Sequence, residues 1–259
     1  MAEFLLSSVK WPKIWKIMRN DRTLWEFVQK AELILMSLPN AMTLPKGAIA
    51  AVLTGDIVNS TKLLLTQEAR LIKALDEVLG RFPGKQRLHE FYRGDSFQVY
   101  LEEPVEALRL ALVCRALAIE VTGDEDTEVV SDIRISIGIG EVKLPIHQLG
   151  VAKGEAFILS GRRFDALQQS EQRLAIGCGV PLADIGFQVM ADYLDSIYKG
   201  MTAKQARVIQ ELLQGTTQQQ LATTLNKSKS TISQLANTGR WAEIEKLLSQ
   251  YGQLIKNLS

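Results

Sequence analysis

Two cysteines, Cys114 and Cys178, and two histidines, His89 and His147, are the whole supply of thiol and imidazole metal ligands in 259 residues. That scarcity excludes a disulfide scaffold. With no Cys-x-x-Cys pair it also makes a structural zinc site hard to assemble, so a reducing, cytoplasmic setting is expected. Proline is sparse at seven residues, and the eighteen glycines follow no three-residue period, which excludes a collagen-like chain. No stretch reaches the ~18 uninterrupted apolar residues of a membrane span. Lys10, Lys13, Lys16, Arg19 and Arg22 interrupt the start of the chain, so neither a cleaved secretory leader nor a membrane partner is expected. Net charge is also nearly missing, at +1, and on its face this argues against a polyanionic partner.

The residues that are present qualify the last exclusion. A 46% hydrophobic share and 23% charged residues describe a globular chain with enough apolar mass for a sizeable core. By segment, residues 1–45 carry 6 Lys/Arg against 4 Asp/Glu, residues 46–200 carry 17 against 22, and residues 201–259 carry 7 against 3. The near-neutral total is a cancellation between an acidic middle and a basic tail. Such asymmetry is expected when one module meets polyanions and another does different work.

Three regions follow from the patterning: residues 1–45, 46–195 and 200–259. In the first, Trp11, Ile14, Trp15 and Met18 recur at helical spacing, and Trp25, Val28, Leu33 and Leu35 continue the pattern toward Pro39 and Pro45. Two amphipathic helices fit, presenting either a partner-binding face or a face packed on their own domain. In the second region Ile49–Leu53 reads as a buried strand and Leu63–Leu79 as a helix, followed by a turn from Gly80 to Gly84. Arg87–Tyr92 and Ser96–Leu101 form a hairpin about Arg93-Gly94-Asp95, Val105–Val121 a helix, and Gly123–Glu128 an acidic loop. Ile133–Val142 alternates as a strand, and Gly154–Gln169 reads as a helix. The order β-α-β-β-α-β predicts an α+β domain of ferredoxin-like arrangement, which by itself leaves function open.

Two carboxylates stand out by position. Asp56 follows the first strand in Thr54-Gly55-Asp56-Ile57-Val58-Asn59-Ser60-Thr61, and Asp95 tips the central hairpin. In the expected fold these are neighbours at one sheet edge. Together with a backbone carbonyl such as that of Ile57, they would make an oxygen-rich site for Mg²⁺ or Mn²⁺. Ordinary turn and capping chemistry is the other reading of the same residues.

The stretch Asp56-Ile57-Val58-Asn59-Ser60-Thr61 resembles the metal-binding opening of class III nucleotide cyclases. Arg93-Gly94-Asp95-Ser96-Phe97 is similar to their Gly-Asp hairpin, and Ile135-Ser136-Ile137-Gly138-Ile139-Gly140-Glu141-Val142 to their later Gly-rich strand. The resemblance covers roughly residues 49–170. It implies metal binding by Asp56, Ile57 and Asp95, and nucleotide contacts from Asn59, Ser60, Thr61 and Gly94. It also implies a catalytic, phosphate-contacting Arg162 supplied across a homodimer interface, because Gly154-Glu155-Ala156-Phe157-Ile158-Leu159-Ser160-Gly161-Arg162 matches the spacing of the family's later helix. Two departures matter. Ile158 stands where that helix has Asn, and an Ile donates no hydrogen bond; losing an oriented donor can cost ~10²–10³ in rate. A second register would place Asp165 there but Gln169 at the Arg. Phe91 stands at the base-reading Lys. The resemblance therefore implies a nucleoside triphosphate or related nucleotide as partner, either bound without turnover or cyclised.

The tail carries a second pattern. Thr202 starts an apolar-periodic helix through Leu213, which Gly215 ends. Residues 218–235 then follow a helix-turn-helix template: Ala222 where helices cross, Asn226 at a left-handed turn, Ile232 in the core, with Leu225 and Leu235 beside it and Ser228 as cap. Gln218, Lys227, Lys229, Ser230, Thr231, Ser233, Gln234 and Asn237 are candidates for contacting DNA phosphates and base edges. A packing or dimerisation module is the alternative. Trp241, Ile244, Leu247, Leu248 and Tyr251 read as the core face of a closing helix. Over about residues 48–250 the order of these parts also resembles the bacterial SatD-like proteins. It implies a regulatory protein with a cyclase-like domain joined to a DNA-binding helix-turn-helix.

Overall fold

A computed structural model describes residues 48–82, 87–92, 94–123 and 131–258. The chain divides into two compact units, Met1–Ala41 and Met42–Ser259, and every described residue belongs to the second. The helices expected in residues 1–45, Arg93 of the hairpin turn, the prolyl part of the turn at 83–84 and the acidic loop at 124–128 lie outside the described residues.

Five strands form one sheet: β1 (Ile49–Ile57), β2 (Arg87–Tyr92), β3 (Ser96–Leu101), β4 (Ile133–Glu141) and β5 (Leu174–Gly177), in the order β2-β3-β1-β4-β5. With α1 (Leu65–Arg81) and α2 (Ala107–Gly123), the first four strands run β-α-β-β-α-β. All their pairings are antiparallel, so the domain has the expected ferredoxin-like topology. After β4, α3 (Glu155–Gln168) crosses over to β5, which adds parallel to β4, and α4 (Pro181–Tyr198) follows.

The strand expected to stop at Leu53 continues to Ile57, because both neighbours pair with it along that length. Asp56 lies opposite Ser96 on β3 and Arg134 on β4. Similarly α1 runs through Gly80 to Arg81 rather than turning there, with Leu79 and Phe82 both buried at its end. The alternation of β1, β3 and β4 sorts their side chains onto two faces. Leu53, Val99, Ile135 and Ile137 join the main core with Leu71, Leu75 and Leu79 of α1. Ala50, Val52, Tyr100 and Ala156 form a smaller cluster on the other face, under α3 and the segment carrying Ile146 and Leu149.

Helix α2 is apolar on nearly every side, so it must be covered on nearly every side. It packs on α1 and on the sheet, and also on α5 (Ala203–Leu213). Of its charged residues Arg115 is the buried one, at 1% exposed. The guanidinium makes two hydrogen bonds to Asp132, at 3.0 and 2.7 Å, one to Asp195 at 2.6 Å, and lies 4.6 Å over the Tyr198 ring.

The tail continues as α6 (Gln218–Thr224), α7 (Lys229–Thr238) and α8 (Trp241–Leu258). Thr202 and Thr217 cap α5 and α6 with reciprocal Gln205 and Gln220 boxes. Ser228 caps α7, accepting from the Thr231 N–H at 3.0 Å. Asn226 takes the left-handed backbone its position asks for, at φ 48°, while Ala222 and Ile232 are buried. On α8, Ile244 and Tyr251 are fully buried, and Trp241, Leu247 and Leu248 are half-buried against the same core.

Candidate functional site

Gly55 brings the site into being by what it lacks. The Phe97 ring lies over it so closely that a Cβ would sit 2.6 Å from Cζ, so glycine here lets the ring lie across β1 beside Asp56. Beyond Asp56, the Ile57 N–H donates to the Asp95 carbonyl at 3.1 Å, which ties the hairpin turn to the end of β1. The Val58 N–H donates to the Asp132 carbonyl at 2.8 Å and Ser131 Oγ donates to the Val58 carbonyl at 2.6 Å, fixing the strand end from the other side. Asn59 then turns the chain at φ 59° into the short Ser60–Lys62 turn. Ser60 Oγ donates to Asp95 Oδ2 at 2.8 Å, and Ser96 Oγ to Oδ1 at 3.4 Å. Thr61 and Gly94 are exposed on the same rim, Gly94 at φ 90°.

Asp56 and Asp95 are thus brought to one sheet edge, close enough that the Asp95 charge is felt at Asp56. Burial pushes the Asp56 carboxyl above its ordinary 3.8; the Arg134 guanidinium opposes that shift, the Asp95 charge reinforces it, and a Gln168 hydrogen bond opposes it. Arg134 Nη1 donates to both Asp56 oxygens, at 3.1 and 3.3 Å, and both side chains are 17% exposed. Its Nε is buried and has no hydrogen-bond partner. Sequence reasoning missed Arg134 and Gln168. The β4 alternation had set Arg134 apart from the core-facing isoleucines, but only the β1–β4 register aims it at Asp56.

Toward the middle of the sheet the same face carries a hydroxyl cluster. Thr54 Oγ1 and Ser160 Oγ share a hydrogen bond at 2.7 Å, Ser136 Oγ donates to the Ser160 carbonyl at 2.7 Å, and Gln98 donates to Thr54 at 3.3 Å. Gly138 permits this, since a Cβ there would stand 2.2 Å from the Ala156 carbonyl oxygen. Ser160 faces the sheet and is buried, whereas Arg162, two residues on, is exposed on the outward side of α3. Ile158 is exposed as well, and Phe91 packs its ring on Phe97 at 5.8 Å.

A metal would find only part of its shell here. Among the described residues no three His, Cys, Asp or Glu side chains gather as a metal-ligand group. Two carboxylates answered by a single guanidinium suit an ion that takes one or two protein oxygens and completes its octahedron with phosphate oxygens and water, which is the habit of Mg²⁺. A cavity of about 660 Å³ lies elsewhere, around Arg115, Asp132, Arg173, Asp195 and Tyr198. The Arg115 guanidinium there is taken up by its two carboxylates and the ring beneath it.

On the tail, Lys227, Lys229, Ser230, Thr231, Gln234 and Asn237 are exposed and Ser233 half-exposed. Thr231 Oγ1 shares a hydrogen bond with Ser228 at 2.8 Å. Gln218 stands apart from them, lining a cavity with Arg109, Thr216 and Trp241. Lys204 and Arg207 of α5, which sequence reasoning did not select, share a groove with Lys227 and Thr231.

The domain's class is therefore α+β, ferredoxin-like, with an all-α tail. Among solved structures, the chain is similar to that of a bacterial light-regulated adenylyl cyclase, at 14% identity and a TM-score of 0.34; the match covers 68% of this chain, and 58% of that protein's length. No family model matches the chain, and no curated protein matches it. Among the described residues no helix is long and apolar enough to cross a membrane.

Proposed function

We propose that this chain is a regulatory protein whose ferredoxin-like domain binds a nucleoside triphosphate with Mg²⁺ or Mn²⁺ at Asp56 and Asp95, and whose tail is a DNA-binding helix-turn-helix. The observation that carries the first half is the pairing of Asp56 with Arg134 beside Asp95. One edge thus offers carboxylates to a cation and, in the partly exposed Arg134 guanidinium, a positive charge to an anion. A divalent ion bound there would neutralise the phosphates and supply the positive charge that the two carboxylates want. Asp56 and Asp95 would hold it, Ser60 would keep Asp95 oriented, and Arg134 would exchange part of its bond with Asp56 for phosphate oxygen. Arg162, exposed and outward, would reach phosphate only from a second chain of a homodimer.

The second half rests on exposure and charge. The outward face of α7 with Lys204, Lys227 and Lys229 carries positive charge beside Arg207, which pairs with Glu120 at 3.6 Å, and phosphate neutralisation is the main source of salt-dependent DNA affinity. With Ile158 at the expected amide position, the reading favours binding over turnover; an active cyclase is the alternative reading.

The test uses purified full-length protein with each nucleoside triphosphate and Mn²⁺. Thermal shift and titration calorimetry read binding, mass spectrometry reads cyclic product, and DNA affinity is measured with and without nucleotide. Binding that is lost in both Asp56→Ala and Asp95→Ala, without product, is expected. Product that vanishes in both variants establishes the cyclase instead. No binding of any triphosphate overturns the nucleotide half, and DNA affinity that is insensitive to salt overturns the DNA half.

A further inference from the structure

A groove of about 380 Å³ lies between α5 and the turn joining α6 to α7, within the ~300–1,000 Å³ range of small-molecule sites. Its apolar wall comes from the half-buried Ala203, Leu225 and Leu235, backed by the buried Val208 and Ile232. The rim is cationic, with Lys204, Arg207 and Lys227 exposed around it. Among the described lining residues Glu120 of α2 is the one carboxylate, and Arg207 answers it at 3.6 Å. Neither Lys204 nor Lys227 has an ion-pair partner among the described residues, so the groove keeps an excess of positive charge. The first turns of α5 and α7, which supply Lys204 and Thr231 to the lining, contain no acidic residue to offset it.

We propose that this groove is a binding site for a small organic anion with an apolar body, an aromatic or medium-chain carboxylate. The body lies against Leu225 and Leu235, taking apolar surface out of water, while the carboxylate faces the ammonium groups of Lys204 and Lys227. Size and charge together select this class. An inorganic anion would leave the apolar wall wet, and a neutral hydrocarbon would gain nothing from the two lysines. An acidic peptide needs a longer track than a groove of this volume provides. Lys227 and Thr231 are also among the residues through which the tail would meet DNA, so an anion seated here takes groups that backbone phosphates would otherwise use. The site itself stands apart from the DNA-binding reading, and only this competition rests on it.

Titration calorimetry on the full chain with decanoate, 2-naphthoate and 4-phenylbutyrate should show saturable one-to-one binding of at least one of them. The uncharged 2-naphthamide and inorganic sulfate should bind about tenfold more weakly or worse. The double variant Lys204→Gln/Lys227→Gln should weaken the carboxylate by about tenfold, with circular dichroism and melting unchanged because both side chains are exposed. Lys246→Gln/Lys256→Gln, which removes the same charge from exposed positions of α8, should bind as the parent does. The proposal is overturned if none of the three carboxylates binds at millimolar concentration, if the amide or sulfate binds as tightly, or if both double variants lose affinity equally. With duplex DNA present, saturating carboxylate should lower DNA affinity severalfold in the parent and leave it unchanged in Lys204→Gln/Lys227→Gln. A chain that binds carboxylate and no DNA keeps the site and overturns the DNA-binding reading, whereas DNA affinity indifferent to carboxylate in the parent overturns the competition.

Discussion

Asp56 has neighbours that pull its proton in opposite directions, and the balance sets a measurable sign. Burial raises its pKa, the Asp95 charge adds to that, and Arg134 with Gln168 works against it; the net shift is upward from 3.8. The folded state therefore holds this proton to higher pH than the unfolded chain does. Asp56's contribution to stability is fully present below its ordinary value and declines as pH rises through the raised one. In denaturant titrations over a pH series, Asp56→Asn should remove that decline, Asn still accepting from Arg134 through its amide oxygen. A variant whose pH slope matches the parent would mean that Arg134 fully neutralises the carboxylate. Bound divalent cation should suppress the same slope in the parent protein, since it replaces the proton as the compensating charge.

Each element was legible in proportion to how much of its reason for forming is local. The β2–β3 hairpin keeps its expected bounds because Gly94 and the alternation on either side belong to the hairpin itself. In the tail, the left-handed turn at Asn226 and the Ser228 cap are set by residues within a few positions. By contrast β5 was not separately foreseen. Its four residues, Leu174–Gly177, are all buried and show no alternation, and they become a strand only by pairing with β4. The edge pairing Asp56 with Arg134 depends on a register across 78 residues, so sequence could nominate the carboxylates and not their counter-ion. The turn gives a direct check on local specification. Replacing Asn226 by Val should cost about 1–2 kcal/mol, the penalty of a branched side chain in left-handed backbone, while Asn226→Gly should be nearly neutral. Chemical denaturation of the two variants tests this, and equal losses would show that the Asn side chain, and not the backbone angle, is what matters.

At the scale of the whole unit, the division into a 46–195 domain and a 200–259 domain meets a core that does not stop at the join. Residues from Leu53 and Leu108 to Ile209, Ile232 and Tyr251 belong to one buried cluster. Helix α5 packs directly on α2, Arg109 Nη1 donates to the Leu213 carbonyl at 3.2 Å, and the Tyr251 hydroxyl donates to the Pro104 carbonyl at 2.8 Å. Cutting at residue 200 would uncover the face of α5 that packs on α2, a helix whose Ala206, Val208, Ile209 and Leu213 are at most 1% exposed in the intact chain. Fully burying one Val, Leu or Ile is worth roughly 1.5–3 kcal/mol, and a 60-residue domain is already marginal. Residues 200–259 expressed alone should therefore lack a cooperative thermal transition and show weak helical circular dichroism. The full chain should unfold the tail together with the sheet in a single calorimetric peak. A cooperatively melting fragment, or two resolved peaks in the full chain, would show that the tail stands as a domain by itself.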